Sequence, residues 1–187
     1  MNNLIQFIND KIPLGEKTKE QFLSICVEKN YEKGDDLLRV GGYCNYLYFI
    51  NSGLVKLSFQ VDEGEFIMRF FQENILFTEL ESLTTNNPSN YKITALEDVN
   101  CILINYSKFK KLCNDIPHVA LLYNKMLTIA HINMMNRISE MLESNAKTRY
   151  NNFLNQNIEI INRISLGDLS KYLGINQVTL SRIRKNK

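Results

Sequence analysis

ISLGDLSKYLGINQVTLSRIRK, Ile164 to Lys185, is the stretch from which the architecture can be worked out. Ser165 is placed to cap a helix, with Asp168 three residues on as an imperfect capping box. Leu166, Leu169, Tyr172 and Leu173 form one apolar face at helical spacing. Gly174 supplies the left-handed conformation that ends such a helix, and Ile175 plugs the angle that follows. Asn176 caps a second helix whose inward face is Val178 or Thr179, Leu180 and Ile183. Two helices locked at a steep angle by a few aliphatics, with the outer face of the second left free, make a helix-turn-helix. That outer face carries Gln177, Ser181, Arg182 and Arg184. Glutamine pairs bidentately with adenine and arginine with guanine, so the pattern predicts a reader of duplex DNA. A packed helical hairpin with a solvated charged face is the alternative.

The charge around this stretch points the same way. From Ser144 to Lys187 there are eight basic residues (Lys147, Arg149, Arg163, Lys171, Arg182, Arg184, Lys185, Lys187) against Glu159 and Asp168, a net +6. The rest of the chain sums to −4, so the overall +2 hides a basic tail on a mildly acidic body. Such a division predicts a polyanionic partner for the tail alone.

Upstream, Pro117 opens a segment that runs to about Ser144 without another proline or any glycine. As a helix it would be about 40 Å long at about 1.5 Å per residue. Its apolar residues include Leu121, Leu122, Met126, Leu127, Ile129, Ile132, Met134, Met135, Ile138, Met141 and Leu142, too many for one face on the chain's own core. A twin helix from a second copy is the economical second face, and burial between two parts of one monomer is the alternative. Three shorter helices follow, Ala146 to Asn155, Leu166 to Leu173 and Gln177 to about Lys185, and one short helix precedes, Ser107 to Leu112.

Before Tyr106 the period is two. Runs such as Tyr46-Leu47-Tyr48-Phe49-Ile50, Leu54 to Phe59, Phe66 to Phe71, Tyr91 to Leu96 and Cys101 to Ile104 alternate with turns at Gly34, Gly41-Gly42, Asn51-Ser52-Gly53 and Asp62-Glu63-Gly64. Many short strands at this spacing predict a sandwich or barrel. From Leu4 to Asn30 the spacing is helical, and Pro13 and Gly15 divide it into two short helices. Phe22, Leu23, Ile25, Cys26 and Val27 form the apolar face of the second.

Composition closes off other classes. The chain has 187 residues, 44% hydrophobic and 22% charged, as in an ordinary soluble protein, without an apolar run of membrane-spanning length or a secretory leader. A cytoplasmic location is expected. Cys26, Cys44, Cys101 and Cys113 stand singly, as reduced thiols do. His118 and His131 are too far apart for a metal pair on one helix turn, so no metal is expected. No catalytic residues are expected either. A cupin-like enzyme would need inward-facing histidines, and the strand region has none.

Several stretches together resemble the catabolite-activator/FNR-type (Crp/Fnr) family of bacterial regulators over nearly the whole chain. They are Tyr31-Glu32-Lys33-Gly34-Asp35, Gly41-Gly42, Leu47 to Leu57, Phe77-Thr78-Glu79-Leu80, Asn114 to Ser144, Ala146 to Tyr150 and Thr179 to Ile183. The resemblance implies an α+β fold: a cyclic-nucleotide-binding-like β jelly-roll barrel with N-terminal helices over residues 1–113, a dimerisation helix over 114–144, and a helix-turn-helix DNA-binding domain over 145–187 that lacks a full wing. It implies a homodimeric transcription regulator, with double-stranded DNA and RNA polymerase as partners. Carried over by position, Gln177, Val178, Ser181 and Arg182 would contact bases, Val178 offering an apolar contact to a thymine methyl. Lys147, Asn176, Thr179 and Lys185 would contact phosphates.

The implied effector pocket comprises Phe77, Thr78, Glu79, Leu80, Met134 and Met135, and it departs from the family. A cyclic phosphate needs a backbone N–H nest and a neutralising arginine. Thr78 stands where the family has glycine, and Thr84 to Thr94 contains no arginine, with Ser89 nearest its place and Lys92 the one base. Met134 and Met135 replace the hydroxyls that read adenine. Cyclic AMP in the usual pose is therefore not expected, and Glu79 reads as a turn residue accepting backbone hydrogen bonds. The N-terminal cysteine cluster of the iron–sulfur branch is absent. No cofactor is implied and the effector is unassigned. The competing reading is a ligand-binding or protein-interaction module whose truncated helix-turn-helix does not read DNA.

Overall fold

A computed structural model describes residues 1–62 and 64–185 of the chain. Glu63 and Lys187, part of the expected hairpin turn and of the basic tail, lie outside the described residues. Two helices, α1 (Asn2–Asn9) and α2 (Glu16–Leu23), precede the strands β1 (Cys26–Tyr31), β2 (Asp36–Leu38), β3 (Tyr46–Ser52), β4 (Val55–Val61), β5 (Gly64–Phe71) and β6 (Leu76–Phe77). A short helix α3 (Leu80–Thr85) leads into β7 (Tyr91–Ala95) and β8 (Val99–Asn105). The chain ends in helices α4 (Tyr106–Asp115), α5 (Pro117–Glu143), α6 (Ala146–Gln156), α7 (Leu166–Leu173) and α8 (Gln177–Lys185), with a 3-10 turn at Ile161–Arg163.

Pro13 and Gly15 do separate two helices, but α2 stops at Leu23, and Cys26 and Val27 begin a strand instead of extending its apolar face. The cause is tertiary. β8 takes β1 as its outer neighbour, from Cys26 opposite Ile104 to Tyr31 opposite Val99, and that ladder overrides a short helical spacing. As a sheet edge β1 stays wet, with Val27 to Asn30 all exposed.

The strands form two antiparallel four-stranded sheets, ordered β1-β8-β3-β6 and β2-β7-β4-β5. These sheets do not close on each other, so the expected strand module is seen as an open two-sheet β-sandwich. Phe49, Ile50, Val55, Ile93, Ile102 and Ile104 are fully buried in one core that lies on both faces of the first sheet, with Phe49 against Phe7 of α1, and Phe22 of α2 and Phe109 of α4 meet edge to face at one end, ring centroids 5.9 Å apart.

One irregularity positions everything downstream. In the β4–β5 ladder Leu57 faces Arg69 but Ser58 faces Ile67, so Met68 is an extra residue, a β-bulge. In a regular strand Ile67 and Phe70 would lie on opposite faces. The bulge puts both on the outer face, where they join Leu54 in a second core with Tyr150, Phe153, Ile160, Leu169, Leu173 and Leu180. Leu57 and Phe71 remain on the inner face with the first core. The C-terminal helices are thus seated on the outside of the β4–β5 sheet. Val119 and Leu122 are the buried residues of α5. The remainder of that helix carries Leu121, Ile129, Ile132, Met134, Met135, Ile138 and Leu142 in solvent, Ile132 at 52% and Leu142 at 81% exposure.

Candidate functional site

The last two helices form as the sequence predicts. Ser165 Oγ accepts the Asp168 N–H at 3.0 Å and lies 2.7 Å from the Asp168 carboxylate. Gly174 ends α7 in the left-handed conformation, φ 63° and ψ 41°. Asn176 Oδ1 accepts the Thr179 N–H at 2.8 Å at the start of α8. Each such cap contributes about 1 kcal/mol. Leu180 is buried and Ile183 half-buried, which leaves Gln177, Val178, Ser181, Arg182, Arg184 and Lys185 exposed. Val178 therefore lies on the outer face, 61% exposed, and the half-buried Thr179 takes the inner position. Gln177 lies back along the start of α7, close enough that a Cβ on Gly167 would sit 3.0 Å from its Nε2.

The basic tail divides in a way its sequence does not reveal. Arg163 is spent inside the molecule: it donates to Glu73 at 2.7 and 3.0 Å and to both oxygens of Glu97. Lys171 pairs with Glu65 at 2.9 Å, and Lys56 bridges Glu65 and Asp168 at 3.0 and 2.8 Å. Burial alone would raise the Glu65 carboxyl, but hydrogen bonds from Ser58, Lys171 and Lys56 outweigh it and hold the pKa near 2. Arg149 donates to the carbonyls of Ser144 and Leu173. What remains among the described residues for an outside polyanion is Lys147, exposed at the start of α6, with Arg182, Arg184 and Lys185 on α8. These docking pairs were not singled out by sequence reading, because nothing in a linear sequence joins Lys56 to Asp168.

The six residues of the implied effector pocket are not gathered in one cavity. Phe77 is in the core, its ring stacked on Phe71 at 3.8 Å and on Tyr48 at 5.5 Å. Thr78 donates to the Tyr46 carbonyl at 2.9 Å and lies 3.3 Å from Cys44 Sγ. Glu79, 4% exposed, accepts from the N–H groups of Glu81 and Ser82 and so caps α3 with its own carboxylate. Leu80, Met134 and Met135 are exposed. Ser89 hydrogen-bonds within its own turn, to Tyr91. A recess of about 370 Å³ opens nearby, lined by Val40, Phe59, Gln60, Glu81, Asn90 and Tyr91.

This strand order with the capped helix α3 between β6 and β7 is what a comparison can test. Residues 28–115 match the cyclic nucleotide-binding domain. The cyclic nucleotide-binding-like sandwich and its helices also superpose on solved structures. The c-di-GMP-responsive regulator CLP of Xanthomonas campestris aligns over 92% of this chain and 91% of its own, at 17% identity and TM-score 0.75. FixK2 of Bradyrhizobium japonicum aligns over 87% and 84%, at 19% identity and TM-score 0.75. A protein of Eubacterium rectale assigned to the crp/fnr family aligns over 100% and 87%, at 20% identity and TM-score 0.75. At these identities the likeness is one of fold. No curated protein sequence matches the chain. Among the described residues no helix is long and apolar enough to cross a membrane.

Proposed function

We propose that this chain is a sequence-specific DNA-binding transcription regulator of the Crp/Fnr type, acting as a homodimer. The observation that carries the reading is α8: its inner face is fixed by Leu180, while Gln177, Val178, Ser181 and Arg182 stand exposed as a set. In this reading α7 and α8 are the helix-turn-helix and those four side chains meet base edges. Lys147, Asn176, Thr179 and Lys185 meet phosphates. Residues 1–113 are the sensing part, 114–144 the dimerisation helix and 145–187 the DNA-binding part. The exposed aliphatic stripe of α5 supplies the dimer contact, and RNA polymerase is the downstream partner. A shift of one dimer arrangement into another would carry a signal from the sandwich to the spacing of the two recognition helices.

The effector differs from cyclic AMP in the usual pose. The α3 amides that a cyclic phosphate would use are already taken by Glu79, and residues 84–94 offer no arginine. Burying a phosphate without such partners costs several kcal/mol.

The test is selection of duplexes from a random pool by the purified chain, with a salt titration. An inverted-repeat site should be enriched, its affinity should fall steeply with salt, and Arg182→Ala should relax preference at one base pair per half-site at a cost of about 1–3 kcal/mol. Failure to enrich any site at low salt, with and without cell extract as a source of effector, would favour a protein-interaction module.

A further inference from the structure

We propose that the recess walled by Phe59, Tyr91 and Glu81 binds a small organic cation, an ammonium group carrying carbon substituents. The ladder register gathers its aromatic wall. Phe59 of β4 stands opposite Phe66 of β5 and opposite Tyr91 of β7, and side chains opposed across a ladder share a face. Phe59 meets Tyr91 edge to face, centroids 5.5 Å apart and planes at 70°, and meets Phe66 at 5.5 Å with planes at 50°. The 370 Å³ recess opens at the Phe59–Tyr91 corner, and Val40, Gln60, Glu81 and Asn90 complete its lining. Its volume suits a small ligand. Both rings of the corner are half-buried, whereas the rings of the core are closed off from solvent. Aromatic rings left open at a concave corner present their electron-rich faces to whatever enters.

The charge at this corner is negative and unanswered. Glu81 lines the recess, and the buried Glu79 lies two residues before it, sharing its charge with the N–H groups of Glu81 and Ser82 but with no cation. Burial, and after it the fields of Glu79 and Glu81, push the Tyr91 phenol above its ordinary pKa, as two nearby carboxylates would. Among the described residues neither carboxylate has a basic partner. The two bases next to the lining in sequence are committed elsewhere: Arg39, beside Val40, and Lys92, beside Tyr91, both pair with Asp36, at 3.6 and 3.1 Å. Lys92 also stands opposite Ser58, so strand alternation turns it away from the face that carries Phe59 and Tyr91. A cation in the recess would gain the ring quadrupole and the Glu81 charge together. An anion would meet like charge. A bare metal ion would need several oxygen ligands, and among the described residues that line the recess Glu81 alone is a carboxylate.

The inference rests on the sandwich being the sensing part, and its test uses no DNA, so either reading can fail alone. Phenyltrimethylammonium chloride is titrated against the full chain at constant ionic strength. Sodium benzoate, a ring with the opposite charge, and sodium chloride are the controls. Thermal unfolding is followed, together with the tyrosine ring resonances of 13C-labelled protein. The cation should raise the midpoint by ~2–4 °C and move the Tyr91 signals, and neither control should do so. Glu81→Gln keeps the backbone N–H that Glu79 accepts and should weaken binding ~5-fold, while Lys92→Gln, on the other face, should leave it intact. No rise with the cation, an equal rise with benzoate, or binding undiminished in Glu81→Gln overturns the proposal. Should Glu81→Gln fail to fold, the resonance titration of the unaltered chain decides, and unmoved Tyr91 signals overturn it.

Discussion

Single residues set limits that can be tested one at a time. Gly53 turns the chain between β3 and β4 with φ at +100°, and a Cβ there would lie 2.5 Å from the Asp98 carbonyl oxygen and 2.9 Å from the Val99 Cα. Backbone cannot give way as a side chain can. Gly53→Ala should therefore destabilise the chain by about 2–4 kcal/mol, read from urea unfolding. Glu65 sets an acid limit. Its carboxyl titrates near 2 in the folded chain and near 4.3 when unfolded. A depressed carboxylate stabilises above its unfolded value, and that stability is lost as pH falls towards the folded value. The melting midpoint should thus drop between about pH 5 and pH 3, and drop less steeply in Glu65→Gln. At this scale the caps were legible: Ser165, Gly174 and Asn176 each act locally, and local chemistry is written in order along a chain. Tyr91 and Arg163 were not, because their meaning depends on which strand or helix the fold brings opposite.

At the scale of elements, α5 is the clearest case of a pattern whose surplus was readable and stays in solvent. Ile129, Ile132, Met135, Ile138 and Leu142 recur at spacings of three and four and are exposed. Under the proposed dimer, Ile132→Glu should shift the chain to monomer at micromolar concentration in sedimentation velocity, with its circular dichroism unchanged. A chain already monomeric before substitution would remove the dimer from the proposal. Among the helices, α5, α7 and α8 begin and end within a residue of expectation, while α4 runs three residues past the expected Leu112. The strands were harder. Cys26 and Val27 carry a helical pattern and sit in β1, and the bulge at Met68 breaks the alternation on which any assignment of faces relies.

For the whole molecule the informative contacts join parts distant in sequence. Phe70 meets Phe153 and Tyr172, at 6.1 and 5.3 Å, and Arg163 ties the 3-10 turn to Glu73 and Glu97 on the sandwich. Arg163→Ala should loosen this seating. Hydrogen exchange at amides of α6 and α7 should speed up by ~3-fold or more, while amides of β3 and β8 keep their protection. Equal acceleration throughout would mean that the C-terminal helices and the sandwich open as one unit. The division into a strand-built and a helix-built part was legible from the change of period at Tyr106. That the second part rests on the first, and commits Arg163 and Lys171 to do so, was not.

The extra residue in β5 has a consequence for how such chains diversify. A bulge adds twist to its strand, and here the twisted strand is the seat of α7. Loss of Met68 would keep every neighbouring side chain on its present face, since Ile67 and Arg69 would then simply alternate. The seat would nevertheless flatten, and α7 and α8 would be aimed elsewhere. Strand length at this point is thus a dial for the orientation of the C-terminal helices, one that a length difference between relatives could turn without changing a single contact residue.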